Sequence, residues 1–343
     1  MPGSGDRNPR KILTAIEDGN LTMDQLDESV RPVVELIAKS AEAIDRNATV
    51  DLDANHELAR ATAAEATVLL KNDNDLLPLE PSMKVVVIGG LARDTRYQGS
   101  GSSQIVPTRL EQPLEEITRL ADEPILISFT EGYKVSGDDD PKLSDTALAL
   151  AAEADRVVVI AGLTPDYESE GFDRTHMQLP ANQLLLIEAL KPVHAKTVVV
   201  LQNGAPVELP FRDSVSAILE TYLGGQAGAS ALADILYGLV NPSGKLAESF
   251  PVAMTDVPSN SWFPGDYRQS QYREAIWVGY RYFDSAGKPV AYPFGHGLSY
   301  TSFEYSDLKV SKTESEFKTN SIVLVSFTIT NSGKRAGAEA AQV

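Results

Sequence analysis

The chain has no cysteine. Disulfides and thiolate metal sites are therefore excluded, and the absence fits a cytoplasmic protein. Histidine is scarce: His56, His176, His194 and His296 are too scattered for a histidine-rich metal cage. Basic residues are outnumbered, 30 Lys and Arg against 48 Asp and Glu, for a formal net charge of −18. A field of that sign repels phosphate backbones and anionic lipid, so no nucleic acid and no membrane is expected as partner. No apolar run approaches the ~18 residues that span a bilayer. The N-terminus lacks the basic-then-apolar pattern of a secretory signal. Familiar cofactor and catalytic signatures are missing too. Gly238-Leu-Val-Asn-Pro-Ser-Gly244-Lys245 has one residue too many for a phosphate-binding loop, and Leu246 stands where a hydroxyl would hold magnesium. Gly89-Gly90 lacks the third glycine of a dinucleotide fingerprint. His56-Glu57 lacks the second histidine of a zinc helix, and there is no Gly-x-Ser-x-Gly elbow. No cofactor and no metal is expected.

What is present is organised in blocks. The 343 residues suffice for about two domains, and 43% apolar with 23% charged residues is a globular composition. Residues 10–18 and 22–40 carry apolar positions at helical spacing, with Thr22 and Gln25 set as a capping box. A polar connector over 45–55 follows, and 56–72 reads as one helix ended by Asn72-Asp-Asn-Asp75 and Pro78. Lys84-Val-Val-Val-Ile-Gly-Gly90 then has the near-continuous apolar run of a buried parallel strand. Similar runs stand at Ile125–Phe129, Arg156–Gly162, Lys196–Gln202 and Ala217–Tyr222. Helical stretches at about 110–122, 141–155, 180–192 and 227–238 separate them. This alternation predicts an α/β fold, a mostly parallel sheet covered on both faces. Ligands of such sheets bind beyond the carboxyl ends of the strands. Residues 241–300 form a long belt rich in Pro, Gly and aromatics, most of which are expected to pin it to the sheet domain. Phe303–Val310 and Ile322–Thr330 alternate like antiparallel strands, and Asn331-Ser-Gly-Lys334 reads as a hairpin turn. So short a β unit reads as part of a truncated domain.

Two strand-end loops draw attention. Tyr97-Gln-Gly-Ser-Gly-Ser-Ser-Gln104 follows the first sheet strand. Its glycines Gly99 and Gly101 permit close backbone approach, and hydroxyls such as Ser100 can hydrogen-bond a polar substrate. A flexible surface loop is the competing reading, and for a bare Gly/Ser stretch the better one. Tyr167-Glu-Ser-Glu-Gly-Phe-Asp-Arg174 follows the third strand and crowds Glu168, Glu170, Asp173 and Arg174. Clustered carboxylates suit general acid/base work because like charges and partial burial raise a pKa. Taken alone, a solvated acidic loop explains the segment better.

Several longer segments change that balance. Leu69-Leu-Lys-Asn-Asp-Asn-Asp-Leu-Leu-Pro-Leu79 resembles the segment opening the second domain of family 3 glycoside hydrolases. Glu170-Gly-Phe-Asp-Arg-Thr-His-Met-Gln-Leu-Pro180 is similar to that domain's acidic loop. Tyr222-Leu-Gly-Gly-Gln-Ala-Gly228, Asn241-Pro-Ser-Gly-Lys-Leu246, Val278-Gly-Tyr-Arg-Tyr-Phe283 and Pro293-Phe-Gly-His-Gly-Leu-Ser-Tyr300 match in the right order. The resemblance implies a β-glucosidase-type fragment. Residues 1–45 look like the closing part of a (β/α)8 barrel, with Met1-Pro-Gly-Ser-Gly5 similar to a loop inside it and Met1 an internal methionine. Residues 46–62 would be a linker, 63–255 a three-layer α/β/α sandwich, 256–302 the belt, and 303–343 the start of a fibronectin-III-like domain. The family hydrolyses β-glycosides with retention, using two carboxylates. The resemblance places the general acid/base on Glu170, with Glu168 the alternative, and puts Ser100, between Gly99 and Gly101, where the serine loop reaches the sugar. The aspartate nucleophile belongs to the barrel and has no counterpart here. The implied substrate is a β-linked glucoside or oligosaccharide. The competing expectation is a non-catalytic carbohydrate-binding module.

Overall fold

The computed structural model describes residues 7–314 and 321–343. The expectation for Met1–Gly5 lies outside the described residues. The chain divides into two compact units, Met1–Asp51 and Leu52–Val343. The boundary falls inside the stretch read as linker. The first unit holds helices α1 (Arg7–Glu17) and α2 (Met23–Ala43). Thr22 caps α2 as its sequence predicts: Thr22 Oγ1 accepts the Gln25 N–H at 3.2 Å, and Gln25 Oε1 accepts the Thr22 N–H at 3.0 Å. The apolar positions Val30, Val33, Val34 and Ile37 are exposed.

The second unit opens with α3 (Leu52–Ala66) and β1 (Val68–Asn72). The single helix predicted over 56–72 therefore stops short. Val68-Leu-Leu70 is fully buried and pairs antiparallel with a sheet strand. Three apolar residues after an Ala-rich helix carry no period of their own, so the tertiary pairing decides their state. The predicted strand–helix alternation then follows: β2 (Val85–Ile88), α4 (Pro113–Leu120), β3 (Ile127–Thr130), α5 (Pro141–Glu153), β4 (Arg156–Gly162), α6 (Ala181–Ala189), β5 (Thr197–Gln202), β6 (Ala217–Glu220) and α7 (Gly228–Leu236). The six strands lie in the order β1-β6-β5-β4-β2-β3, all parallel except β1.

The period of two divides the core into two layers. Val86, Ile88, Val157, Val159, Val199 and Leu201 face one cluster, shared with Ala147 and Ala151 of α5 and Leu186 and Ile187 of α6. Val85, Val87, Val158, Ile160, Val198 and Val200 face the other, with Ala63 and Ala64 of α3, Ile117 of α4 and Leu232 of α7. Each such Val or Leu contributes ~1.5–3 kcal/mol by leaving water. The result is a three-layer α/β/α sandwich.

The chain reverses direction across this sheet at β2. It passes first to β3 on one side and then to β4 on the other. The loops after β2 and β4 consequently leave the sheet at a topological switch point, where open α/β sheets bind ligands.

The belt runs from β7 (Phe250–Pro251) through α8 (Tyr280–Ala286) to β8 (Val290–Tyr292), which pairs back on β7. Fewer of its aromatics are pins than expected. Phe283 and Tyr292 are buried, and the Tyr300 hydroxyl donates to Ile235 O at 2.9 Å. Tyr267 and Tyr272 are exposed, and Trp262 stacks under Arg273 inside the belt itself, 3.8 Å from guanidinium to ring centre. An aromatic-rich segment can thus pack locally without reaching the sheet.

β9 (Phe303–Glu314) and β10 (Ser321–Asn331) form an antiparallel hairpin. After Asn331 the chain bends, but residues 336–343 form no further strand, so the hairpin expected at 331–334 is not made: β10 pairs only with the strand before it. Tyr305, Leu308, Val310, Val323 and Leu324 stay exposed. An uncovered two-stranded ribbon is marginal on its own. Amide exchange followed by NMR should therefore be fast in β9 and β10 and slow in β2 and β4. Equal protection in both regions would contradict the exposure of this face.

Candidate active site

Backbone approach shapes the site first. Gly89 follows β2 at φ +129°, and a Cβ there would collide with the carbonyl of Ile160 in β4. Only glycine lets the chain turn away so close to its neighbour. The loop that follows is tied across the switch point by Arg96, a residue no sequence motif singled out. Arg96 is buried, and its Nη1 donates to Leu163 O at 2.6 Å. Its Nη2 donates to Glu168 O at 2.9 Å and lies 3.6 Å from Glu168 Oε2. Gln202, at the end of β5, accepts the Arg96 N–H at 3.2 Å and donates to Thr95 Oγ1 at 3.0 Å. One cation thus holds the carboxyl-end loops of β2 and β4 together.

On that frame the serine loop and the acidic loop meet. The Glu170 N–H donates to Ser100 O at 3.1 Å. In return, Ser102 donates both its N–H, at 2.6 Å, and its hydroxyl, at 2.5 Å, to Glu170 Oε2. Gly101 sits between them at φ +114°, and a Cβ there would overlap the Glu170 side chain. Of the residues named from sequence, Ser100, Gly101 and Glu170 are therefore in one clasp. Gly99 lies beside it with open space where a Cβ would point. The direct partner of the carboxylate is Ser102, which the sequence reading passed over in favour of Ser100.

Glu170 is exposed, and the two Ser102 donors hold its carboxyl below the usual range. Those donors stabilise the charged form. Ser102→Ala removes one of them and should raise the Glu170 pKa, read by a ¹³C-carboxyl NMR titration. An unchanged titration would show that the clasp does not govern this group.

Glu168 is held differently. Its Oε2 accepts the Gly204 N–H at 2.8 Å, from the loop after β5. Behind it lies a deeper acid group that sequence reasoning missed. Glu220, the last residue of β6, is fully buried. Its Oε1 accepts the Tyr222 N–H at 2.9 Å, and its Oε2 accepts Asn203 Nδ2 at 3.0 Å. Burial pushes its carboxyl up to about 8, with the charges of Glu248 and Glu168 adding to the effect. Burial likewise raises Glu248, which accepts the Tyr222 hydroxyl at 3.0 Å. The available signal was an acid closing an otherwise apolar strand, Ala217-Ile-Leu-Glu220. The site thus offers an exposed carboxylate anchored to a glycine-rich loop, together with the buried Glu220 and the half-buried Glu168 and Glu248.

Residues 67–300 match the model of the glycosyl hydrolase family 3 C-terminal domain. Thermostable β-glucosidase B of Acetivibrio thermocellus is 48% identical over 100% of this chain and 45% of its own length. An exo-α-(1→6)-L-arabinopyranosidase of Bifidobacterium longum is 40% identical over 97% of this chain and 44% of its own length. Among solved structures, the Bifidobacterium adolescentis family 3 β-glucosidase superposes with a TM-score of 0.88 at 39% identity, over 97% of this chain and 48% of that one. β-Glucosidase 3B of Thermotoga neapolitana, solved in complex with α-D-glucose, superposes with a TM-score of 0.82 at 32% identity, over 96% and 49%. The chain spans less than half the length of these relatives.

Proposed function

The chain belongs to glycoside hydrolase family 3, and on that footing we propose that it is the part of a retaining β-glycosidase that supplies the general acid/base. The substrate is a β-linked glucoside or oligosaccharide. Residues 1–45 are the end of the barrel domain and 303–343 the start of a fibronectin-III-like domain. Residues 63–255 are the catalytic partner of the barrel, with 256–302 as the belt.

The observation that carries this reading is the clasp of Glu170 on Ser102 at the switch point. An acid/base must be fixed in place yet open to the leaving group, and Glu170 is anchored and exposed together. Its lowered pKa suits the second half of a retaining reaction, in which it takes a proton from water. The first half needs the protonated form. A charged nucleophile ~5–5.5 Å away raises a neighbouring carboxyl. That nucleophile loses its charge when it becomes the glycosyl ester, and Glu170 then returns to the basic state. One residue serves as acid and then as base.

Glu168 is the second reading, favoured by its own anchoring to Gly204 and to the cation of Arg96. A substitution that removes only acid/base assistance distinguishes the two positions.

The 343 residues alone should not hydrolyse an aryl β-glucoside above background. Without the nucleophile no covalent intermediate forms, and acid catalysis by itself supplies ~10²–10⁴-fold. A burst of phenol from the purified chain would overturn the assignment of the nucleophile to another domain.

A further inference from the structure

The guanidinium of Arg96 does more than join two loops: it meets them at matching places. Its Nε donates to Gln98 O at 3.1 Å, and its Nη2 donates to Glu168 O at 2.9 Å. Two residues further along each loop the chains meet again, where the Glu170 N–H donates to Ser100 O. The guanidinium and that backbone bond are two rungs between the same pair of loops. The remaining arm, Nη1, donates to Leu163 O, which seats the fork at the root of the acidic loop, directly after β4. Each loop is also braced at its rung. Gln98 closes the serine loop on Ile105, accepting its N–H at 3.0 Å and donating to its carbonyl at 2.9 Å. Ser100, Gly101 and Ser102 stand inside that ring. Glu168 is braced by the Gly204 N–H.

This geometry governs where the Glu170 carboxylate can lie. A slip of one residue moves an extended backbone by ~3.3 Å, past the reach of a hydrogen bond from Ser102. One neutral backbone bond is a weak lock against such a slip, and hydrogen bonds from a buried cation are stronger. Arginine is the side chain suited to the task, because its donors point in fixed directions from one plane. A lysine ammonium is a point charge on a flexible stem. We propose that Arg96 is a positioning residue: it sets the register of the serine loop against the acidic loop, and so keeps the Glu170 carboxylate on Ser102. Its catalytic consequence rests on the acid/base reading of Glu170, whereas its geometry does not.

Arg96→Lys tests this, since it keeps the charge and loses the fork. In the full chain the Ser102 donors hold the Glu170 carboxyl below its usual range. With the register lost, Glu170 should titrate higher by ¹³C-carboxyl NMR, in the same direction as in Ser102→Ala. Because a positive charge remains beside Glu168, such a shift reports on geometry. In the whole enzyme Arg96→Lys should slow an alkyl β-glucoside by about tenfold to a hundredfold, the effect of a misplacement near 1 Å. KM and the first step on 2,4-dinitrophenyl β-glucoside should change little. A Glu170 titration that stays put in folded Arg96→Lys would overturn the proposal. So would equal slowing of both glucosides in an enzyme whose Glu170→Ala variant is rescued by azide. The titration is independent of what Glu170 does in catalysis, so failure here is distinguishable from failure of the acid/base reading. Should Arg96→Lys not fold, arginine side-chain NMR of the unsubstituted chain decides. Separate, slowly exchanging Arg96 Nη protons are expected, coupled through their hydrogen bonds to the carbonyl carbons of Leu163 and Glu168. Averaged Nη signals without those couplings would mean an unlocked guanidinium and would equally overturn the proposal.

Discussion

In the whole enzyme, Glu170→Ala should slow an alkyl β-glucoside by ~10²–10⁴-fold, the usual contribution of a general acid. The first step on a 2,4-dinitrophenyl β-glucoside should be far less affected, because that leaving group departs without a proton. The two substrates diverge only if the lost group acted on the leaving oxygen. A bracing role for Glu170 predicts something else. Its N–H to Ser100 O survives the substitution, but the two bonds from Ser102 do not. Collapse of the clasp would then slow all substrates alike. Uniform loss in a folded protein moves the role to Glu168, whose contacts to Gly204 and Arg96 are independent of Ser102.

The second large effect lies below the site, at Glu220. Its folded-state pKa is raised to about 8 from an ordinary 4.5, first by burial. The folded protein thus keeps a proton that the unfolded chain has released. Stability from this group is fully present below about 4.5 and is lost as pH rises towards about 8. The slope across that window approaches ~1.4 kcal/mol per pH unit. Glu220→Gln keeps the size and the carbonyl acceptor but cannot ionise. Urea unfolding midpoints should therefore fall from pH 5 to pH 8 in the parent and stay flatter in the variant. Parallel profiles would mean that Glu220 ionises freely in the fold. Tyr222 reports on the same point. It holds a left-handed φ of 50° with its N–H on Glu220 Oε1 and its hydroxyl on Glu248, so ionising Glu220 adds a charge where two acids already meet.

The sandwich was legible because its cause is local. Val-rich runs such as Val85–Ile88 and Thr197–Gln202 are buried on both faces, and a strand of that kind announces itself without partners. β1 was not legible, since Val68-Leu-Leu70 becomes a strand only by pairing with β6. The site divides along the same line. Glu170 and the serine loop stood out as short motifs at strand ends, and the fold joins them. Ser102 looked no different from Ser100, because which serine faces the carboxylate depends on the turn at Gly101. Arg96 and Glu220 act through long-range contacts, to Leu163 and Asn203, that no spacing in the sequence encodes. The exposed belt aromatics failed expectation for a related reason: Trp262 found Arg273, eleven residues on, before it found the sheet.

Azide tests the central assignment most directly. In Glu170→Ala the glycosyl intermediate waits on a water that has lost its base. Azide needs no deprotonation, so its addition should restore turnover of the dinitrophenyl glucoside and yield the β-glycosyl azide, identified by NMR from its anomeric coupling. A folded Glu170→Ala enzyme that gains no rate from azide and forms no glycosyl azide would contradict the assignment of Glu170 as the acid/base.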